Sequence, residues 1–199
     1  MYKRQIGIKS EWLSLVGDVF GRYISGISGD YLFHSVPYYS MSEEDLELEE
    51  FNKLGEQASQ GCVRLAVSDA KWVYDNCPTG TNVSIYDDAE NAGPLGKPDA
   101  IKITDFTNKW DPTDSNKKCP YAKATPIISG ANDYTIKSGG EFYALAGVTA
   151  VDTCGNDITS NIEVFGNVVT TRKGKYKVTY SVTDVLKRTS SVTITVTVQ

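Results

Sequence analysis

The sequence is poor in the residue types that build metal sites and base catalysis. It contains one histidine, His34, and four cysteines, none of which forms a Cys-x-x-Cys pair. Structural zinc sites usually take four ligands from closely spaced cysteines and histidines, so this composition argues against such a site. Any reaction that needs an imidazole as its base must therefore use His34.

Positive charge and long apolar stretches are scarce as well. The 199 residues include 20 lysines and arginines against 25 aspartates and glutamates, which gives a formal net charge of -5. A pI near 5.0 argues against nucleic acid as a partner, because a nucleic-acid-binding surface needs a basic patch. No apolar run approaches the roughly 20 residues that a transmembrane helix requires, so no transmembrane segment is predicted.

No signal peptide is predicted at the start of the chain, because no basic segment followed by an apolar one is present. Residues 1–5 resemble the translated read-through of a common transposon sequencing adapter, with its first codon read as a start. This resemblance predicts a gene truncated at its 5′ end, in which case the missing signal carries no information about location. A genuine short N-terminus is the alternative.

What the sequence does contain is mostly the pattern of short β-strands. From Ile6 to Phe33, apolar and aromatic residues are interrupted by glycines, which favours strands with turns over a helix. The last of these strands reads as buried and ends at His34. In residues 117–199, apolar and polar residues alternate as they do in an antiparallel sandwich. We predict a mainly β chain with two domains, residues 1–116 and 117–199.

Three other segments interrupt the strand pattern. The acidic insertion Met41–Leu54 is predicted to be a solvated helix or loop, with a flap beside a functional site as the alternative. Ser68 is the predicted N-cap of a helix that ends at Cys77–Gly80. Residues Asp111–Asn116 are rich in turn-forming residues and predict an exposed linker.

Cys62 is the candidate nucleophile. A thiol with an ordinary pKa near 8.5 is only a few per cent thiolate at neutral pH, so a catalytic cysteine needs a base such as His34. The N–H of Gly61 could stabilise an oxyanion. Arg64 could bind a substrate carboxylate or brace its loop through bidentate hydrogen bonds. On these residues alone, a small buried cysteine without a catalytic role is the commoner alternative.

The segment Ser59–Arg64, read together with the upstream His34, resembles the signature of the L,D-transpeptidases, the YkuD-type cysteine enzymes of bacterial cell walls. The similarity extends through Tyr31–Pro37, Asp69–Trp72 and Gly80–Val83, and it covers roughly the first half of the chain. It implies a YkuD-type β-sandwich catalytic domain with a short helix.

The resemblance also implies which residues act. The implied catalytic residues are Cys62, His34, Ser35 and Gly61, and the implied substrate-binding residues are Arg64, Ser59 and Gln60. In this scheme the backbone carbonyl of Ser35 orients the His34 imidazole, and the Gly61 N–H serves the oxyanion. Many family members have a histidine at the position of Gln60, so contacts made there are expected to differ in this chain.

The implied reaction is acyl transfer between peptidoglycan stem peptides, which serve as donor and acceptor. Cys62 would attack the carbonyl before the terminal D-alanine of a tetrapeptide stem, releasing D-alanine and leaving a thioester. The side-chain amine of a diamino acid on a neighbouring stem would then form a 3→3 cross-link, whereas water would make the enzyme a carboxypeptidase. No metal or organic cofactor is required, and carbapenem-type compounds are the inhibitors that the resemblance implies.

The family's catalytic domain normally begins with strands upstream of anything in this sequence, including a Thr-Pro-x-Gly segment that is absent here. Together with the adapter-like start, this predicts an incomplete catalytic domain. Unpaired strand edges and an open core would leave such a fragment poorly stable or inactive when it is expressed alone.

Residues 119–199 resemble bacterial Ig-like domains of the DUF5011 type, through Gly147–Asp152 and Gly174–Asp184. Such sandwiches act as spacers or adhesive modules on cell surfaces. The resemblance implies an extracellular, cell-wall-associated protein of a Gram-positive bacterium. An extracellular disulfide between Cys119 and Cys154 is a further hypothesis.

Two other functions are open on the sequence. One is a papain-like cysteine peptidase that cuts wall peptides, although that class usually places its cysteine before its histidine in the chain. The other is a surface binding or adhesion protein whose catalytic half is degenerate. Gln60 favours the second alternative, whereas the retained Cys62, His34 and Arg64 speak against it.

Overall fold

The computed structural model describes residues 2–86, 90, 96 and 98–199. The chain divides into two compact units, Met1–Ala122 and Lys123–Gln199. The predicted domain boundary after residue 116 lies slightly upstream of this division. The assignment of residues 1–116 to a catalytic domain stays a prediction.

The first unit is built on a four-stranded sheet in the order β2-β3-β4-β5. Neighbouring strands are antiparallel from β2 to β4, whereas β4 and β5 are parallel. Strands β1 and β6 form a separate antiparallel pair, and Tyr2 lies opposite Ile85 in it. The elements of this unit are β1 (Tyr2–Gln5), β2 (Lys9–Leu15), β3 (Val19–Ser28), β4 (Tyr31–Ser35), α1 (Leu48–Phe51), β5 (Val63–Leu65), α2 (Val67–Asn76), β6 (Asn82–Ile85) and a 3₁₀ turn (Pro120–Lys123).

The acidic insertion is part of the core of the first unit, which corrects the expectation of a solvated segment. Leu46 and Phe51 are fully buried, because their side chains pack with apolar residues from the strand ends and from the later chain. Burial of such side chains stabilises the fold by roughly 2 kcal/mol each. The cluster consists of Val36, Tyr38, Leu46, Leu48, Phe51, Ala66 and Ile103.

The segment Asp111–Asn116 is not an exposed linker, so that prediction is wrong. Asp111 is fully buried, and Asp114 is nearly so. The Asp111 carboxylate accepts the backbone N–H of Val67 at 2.8 Å, at the first residue of α2. This remote contact replaces the predicted Ser68 cap, because α2 begins at Val67 and has no side-chain cap of its own.

The second unit is a small β-sandwich, as the alternating pattern predicts. Its main sheet has the order β10-β11-β12-β8, with β12 and β8 parallel, and β7 pairs with β9. Its elements are β7 (Ile127–Ser129), β8 (Tyr134–Ile136), β9 (Thr149–Val151), a 3₁₀ turn (Thr159–Asn161), β10 (Glu163–Phe165), β11 (Gly174–Thr183) and β12 (Thr189–Val198). Val178, Tyr180 and Val182 of β11 are buried against Ile194 and Val196 of β12. The predicted mainly β fold class is confirmed.

All four cysteines are free thiols in the structure. Cys119 belongs to the first unit and not to the Ig-like one, where Cys154 lies, so the structure does not contain the hypothesised disulfide. Within the described residues, no helix is long and apolar enough to cross a membrane. The same residues contain no group of three or more His, Cys, Asp or Glu side chains suited to a metal ion.

Candidate active site

The pairing of β4 with β5 brings His34 and Cys62 to one place. Their parallel register sets Phe33 against Val63, His34 against Arg64 and Ser35 against Leu65. Because side chains alternate along a strand, Cys62 and Arg64 project from the same face as His34. Twenty-seven intervening residues separate His34 from Cys62 in sequence, and the sheet removes that separation.

These side chains line a cavity of about 870 Å³. Five of the seven predicted site residues form its wall, namely His34, Ser59, Gln60, Cys62 and Arg64. The other wall comes from the β2–β3 hairpin, including Leu15, Val16 and Val19, which sequence reasoning did not assign to the site. Val16 is 87% exposed at the hairpin tip, where an apolar side chain meets solvent at the cavity mouth.

The His34 imidazole is held as the neutral tautomer that a general base requires. Its Nδ1 lies 2.5 Å from the backbone oxygen of Ser35, and a carbonyl oxygen can only accept, so Nδ1 carries the proton. Nε2 is then the unprotonated atom. Burial lowers the pKa of His34 to about 4, the Ser35 carbonyl opposes that shift, and the nearby Arg64 charge adds to it. His34 is therefore uncharged at neutral pH.

The ring of His34 fits where it does because Gly21 has no side chain. A Cβ on Gly21 would lie 3.2 Å from His34 Nδ1 and 2.9 Å from the Ile24 side chain. Strand β3, which contains Gly21, also holds Ser35, since the Ser35 Oγ accepts the Arg22 N–H at 2.9 Å. The same Oγ donates to the Val36 carbonyl at 2.8 Å. The orienting role of the Ser35 carbonyl stays a prediction, and the 2.5 Å contact between that carbonyl and His34 Nδ1 is compatible with it.

Cys62 lies at the cavity surface and is partly exposed. Its Sγ is 3.6 Å from the backbone oxygen of Asp30, which immediately precedes β4. Ser59 closes the tight loop before β5, because its Oγ donates to the Cys62 carbonyl at 2.6 Å and accepts the Gly61 N–H at 3.2 Å. In this structure the Gly61 amide is thus bonded to Ser59, and Ser59 braces the Cys62 loop from within.

Gly61 has a structural reason to be glycine. Its φ is +129°, a conformation that residues with a side chain rarely adopt. A Cβ there would lie 2.3 Å from Cε1 of Tyr31, so the Tyr31 ring packs directly on the Gly61 backbone. Tyr31 also lines the cavity. The sequence predicts Tyr31 in a buried strand, but this residue is 54% exposed.

Arg64 braces the insertion. Its Nη1 forms an ion pair with Glu50 of α1, and Glu50 also pairs with Lys53 at 2.5 Å. The Nε of Arg64 is buried and has no partner among the described residues. This contact differs from the predicted bidentate bracing of the loop, because one guanidinium nitrogen reaches Glu50 of α1. A substrate carboxylate at Nη1 would have to displace Glu50.

A second arginine, which sequence reasoning missed, supports the back of the site. Arg22 of β3 is buried and pairs with Asp114 at 3.0 Å and with Glu43 at 2.8 Å. It thereby ties both the insertion and the 111–116 segment to the strand that hydrogen-bonds Ser35. Nothing in the local sequence marks this network, because its three members are far apart along the chain.

Two family models match separate parts of the chain. Residues 14–85 match the family model of the L,D-transpeptidase catalytic domain, YkuD, and residues 126–198 match that of the Ig-like domain of bacterial surface proteins. Both resemblances are thereby confirmed, for the parts of the chain that the family models cover. The YkuD match includes His34 and the whole Ser59–Arg64 segment.

A curated relative lies in the same class. Over 57 residues the chain is 49% identical to YciB of Bacillus subtilis (strain 168), which is named as a candidate L,D-transpeptidase. This stretch is 29% of the present chain, and it spans 28% of the length of that relative.

Among solved structures, likeness is weak. The chain matches CBM51-2 and INT domains of ZmpB from Clostridium perfringens at 31% identity, covering 37% of this chain and 16% of the other, with a TM-score of 0.34. A fused Zn-dependent amidase/peptidase/peptidoglycan-binding domain-containing protein from Clostridium acetobutylicum matches at 34% identity, covering 43% and 33%, with a TM-score of 0.31. At such TM-scores these likenesses do not define the fold.

Proposed function

We propose that the chain is a peptidoglycan L,D-transpeptidase that works through a thioester on Cys62. The observation that carries the proposal is the parallel pairing of β4 with β5, which sets the neutral His34 imidazole and Cys62 on one face of one cavity. The family match over residues 14–85 supports the peptidoglycan substrate class.

The first step would form the acyl-enzyme. His34 Nε2 takes the thiol proton as Cys62 Sγ attacks the carbonyl carbon that precedes the terminal D-alanine of a tetrapeptide stem. The tetrahedral intermediate collapses, the C–N bond to D-alanine breaks, and His34 returns its proton to the leaving amine. The oxyanion needs a donor, and a Gly61 N–H released from Ser59 would supply one worth about 3 kcal/mol.

The second step would transfer the acyl group. The side-chain amine of a diamino acid on a neighbouring stem attacks the thioester carbonyl, His34 accepts the amine's proton, and the C–S bond breaks to return Cys62. The product is a 3→3 cross-link, and water in place of the amine gives a shortened stem. The chain's own side chains suffice for each proton transfer in this scheme.

The three residues proposed to bind substrate differ in the contacts that they make in the structure. Gln60 lines the cavity beside Cys62, which supports contact with a bound stem peptide. Ser59 and Arg64 also line the cavity, but their observed partners are the Cys62 loop and Glu50. We propose that Ser59 and Arg64 shape the site by holding the loop and the insertion, with substrate contacts secondary to that role.

The location and inhibitors follow from the same family. We propose that the protein acts at the outer surface of a Gram-positive bacterium, with residues 117–199 as an Ig-like spacer or adhesive module. The match of residues 126–198 to a domain of bacterial surface proteins is compatible with that location. Carbapenem-type compounds would acylate Cys62.

Two rival functions predict different products from one experiment. A disaccharide-tetrapeptide is incubated with the chain, and the products are followed by mass spectrometry. Cross-linked dimers together with released D-alanine support the transpeptidase, whereas cleavage inside the stem supports a cysteine peptidase. No turnover by a cooperatively folded protein supports a surface binding protein with a degenerate catalytic half. Cys62→Ala should abolish any turnover, and Cys77→Ala, at the end of α2, is its matched control.

A further inference from the structure

The charged side chains that line the cavity bear on which acyl acceptor it binds. Among the described residues that line it, three are of the types Asp, Glu, Lys, Arg or His, namely Asp30, His34 and Arg64. His34 is neutral, because burial lowers its pKa to about 4. Arg64 is paired with Glu50. The charge of the Asp30 carboxylate is thus the one left without a compensating partner in this wall.

Asp30 is also placed next to the reacting atom. Its backbone oxygen lies 3.6 Å from Cys62 Sγ, and the residue is exposed to solvent at the start of β4. Asp30 lines the same cavity as Cys62, so its negative charge favours the approach of a cation to this cavity and disfavours that of an anion. The acceptor amine of a stem peptide is such a cation, since an alkyl amine is protonated at neutral pH.

We propose that Asp30 is the specificity-determining residue for the acyl acceptor, binding the side-chain ammonium group of the diamino acid before it attacks the Cys62 thioester. This inference rests on the proposed transpeptidase function. Once the acceptor is bound, its ammonium group must lose a proton to become the nucleophile. That proton passes to solvent at the open cavity, which leaves the neutral His34 imidazole free to accept the second amine proton during attack, and Asp30 need not act as a base.

The test measures acceptor binding without turnover. In the full chain carrying Cys62→Ala, the dissociation constant is measured for a stem peptide that ends at its diamino acid and so cannot be a donor. The same peptide with its side-chain amine acetylated is the paired ligand. Adding Asp30→Asn should weaken binding of the free-amine peptide by roughly tenfold and leave the acetylated peptide unaffected, because only the former carries the charge. The difference should shrink in high salt.

Glu44→Gln is the matched control, since it also removes one negative charge from an exposed residue, and Glu44 does not line the cavity. It should leave both dissociation constants unchanged. The inference is overturned if Asp30→Asn leaves the free-amine peptide's affinity unchanged, or weakens both peptides equally. Acylation of wild-type Cys62 by a tetrapeptide donor, measured alongside, separates the two claims. If that acyl-enzyme forms while Asp30→Asn has no effect, the role of Asp30 is wrong and the proposed function stands.

Discussion

His34 and Arg64 lie directly opposite each other in the parallel pairing of β4 with β5. A fixed positive charge next to an imidazole disfavours its protonation, and burial of His34 acts in the same direction. Glu50 in turn holds Arg64 from the acidic insertion. The insertion, the arginine and the base therefore form one connected unit, and each link can be tested separately.

The first prediction concerns acid stability. Since the pKa of His34 is near 4 in the folded chain and about 6.5 when unfolded, the unfolded state binds the proton first as pH falls. The free energy of unfolding should be unaffected by His34 above about pH 6.5 and decrease between about 6.5 and 4. Between about pH 7.5 and 4.5, wild type should lose about 2 to 3 kcal/mol more than His34→Gln.

Urea unfolding followed by tryptophan fluorescence measures this difference, because Trp12, Trp72 and Trp110 all lie in the first unit. Equal acid losses in wild type and His34→Gln would mean that His34 is not held neutral by the fold.

The second prediction concerns the nucleophile loop. Gly61→Ala should reduce Cys62 acylation by at least about tenfold, because the new Cβ would clash with the Tyr31 ring in addition to straining the backbone. Gly17→Ala is the control, since Gly17 also has a positive φ, +98°, but no atom lies within 4 Å of its added Cβ. Combining Gly61→Ala with Tyr31→Ala should restore part of the rate. Unchanged acylation in Gly61→Ala would contradict the packing described here.

The third prediction concerns the insertion. Glu50→Gln removes the acidic partner of a partly buried Arg64, and we expect the unfolding free energy to fall by about 1 to 2 kcal/mol. Glu49→Gln, one position away and exposed, should change it by less than about 0.5 kcal/mol. A double-mutant cycle with Arg64→Gln isolates the coupling from the Lys53 contact. Zero coupling would show that the ion pair does not anchor α1.

The fourth prediction concerns the remote cap of α2. Asp111→Ala leaves the Val67 N–H without its acceptor in a buried place, so we expect a loss of about 2 to 3 kcal/mol. Asp111→Asn keeps an acceptor oxygen and should lose less, since burial already raises the pKa of Asp111 to about 6 and makes its charge costly. Asp99→Ala, at an exposed position, is the control. Equal stability of all three variants would refute the cap.

Much of the fold follows from local sequence. Strand β4 is visible as a short apolar run that leads to His34. The long strands of the second unit are visible as alternating patterns, because one face of each is buried. The candidate pair of His34 and Cys62 was selected from the sequence through the family resemblance, since a lone histidine and a Gly-Cys loop are weak evidence by themselves. Its catalytic role stays a prediction. The prediction for Asp111–Asn116 was wrong because turn-forming residues occur both in exposed linkers and in buried loops. Its role depends on Val67 and Arg22, which are distant in sequence.

The contacts across the site could likewise not be predicted from local sequence patterns. Arg64 offered two roles, and only the folded position of Glu50 shows which partner it has. Asp30 and the Tyr31 ring have no motif of their own, because their importance comes from lying beside Cys62 and Gly61. The expectation that the chain is poorly stable or inactive stays a prediction, and it competes with the assembled cavity of about 870 Å³ that the structure shows.

The most direct test of the account is the intact mass of the 199-residue chain after incubation with a tetrapeptide stem or a carbapenem. We expect one covalent adduct, located on Cys62 by peptide mapping, with D-alanine released from the stem. The adduct should be absent in Cys62→Ala and form at least about a hundredfold more slowly in His34→Gln, which lacks the base. If a cooperatively folded chain forms no adduct on Cys62 with either compound, Cys62 is not the nucleophile of an L,D-transpeptidase.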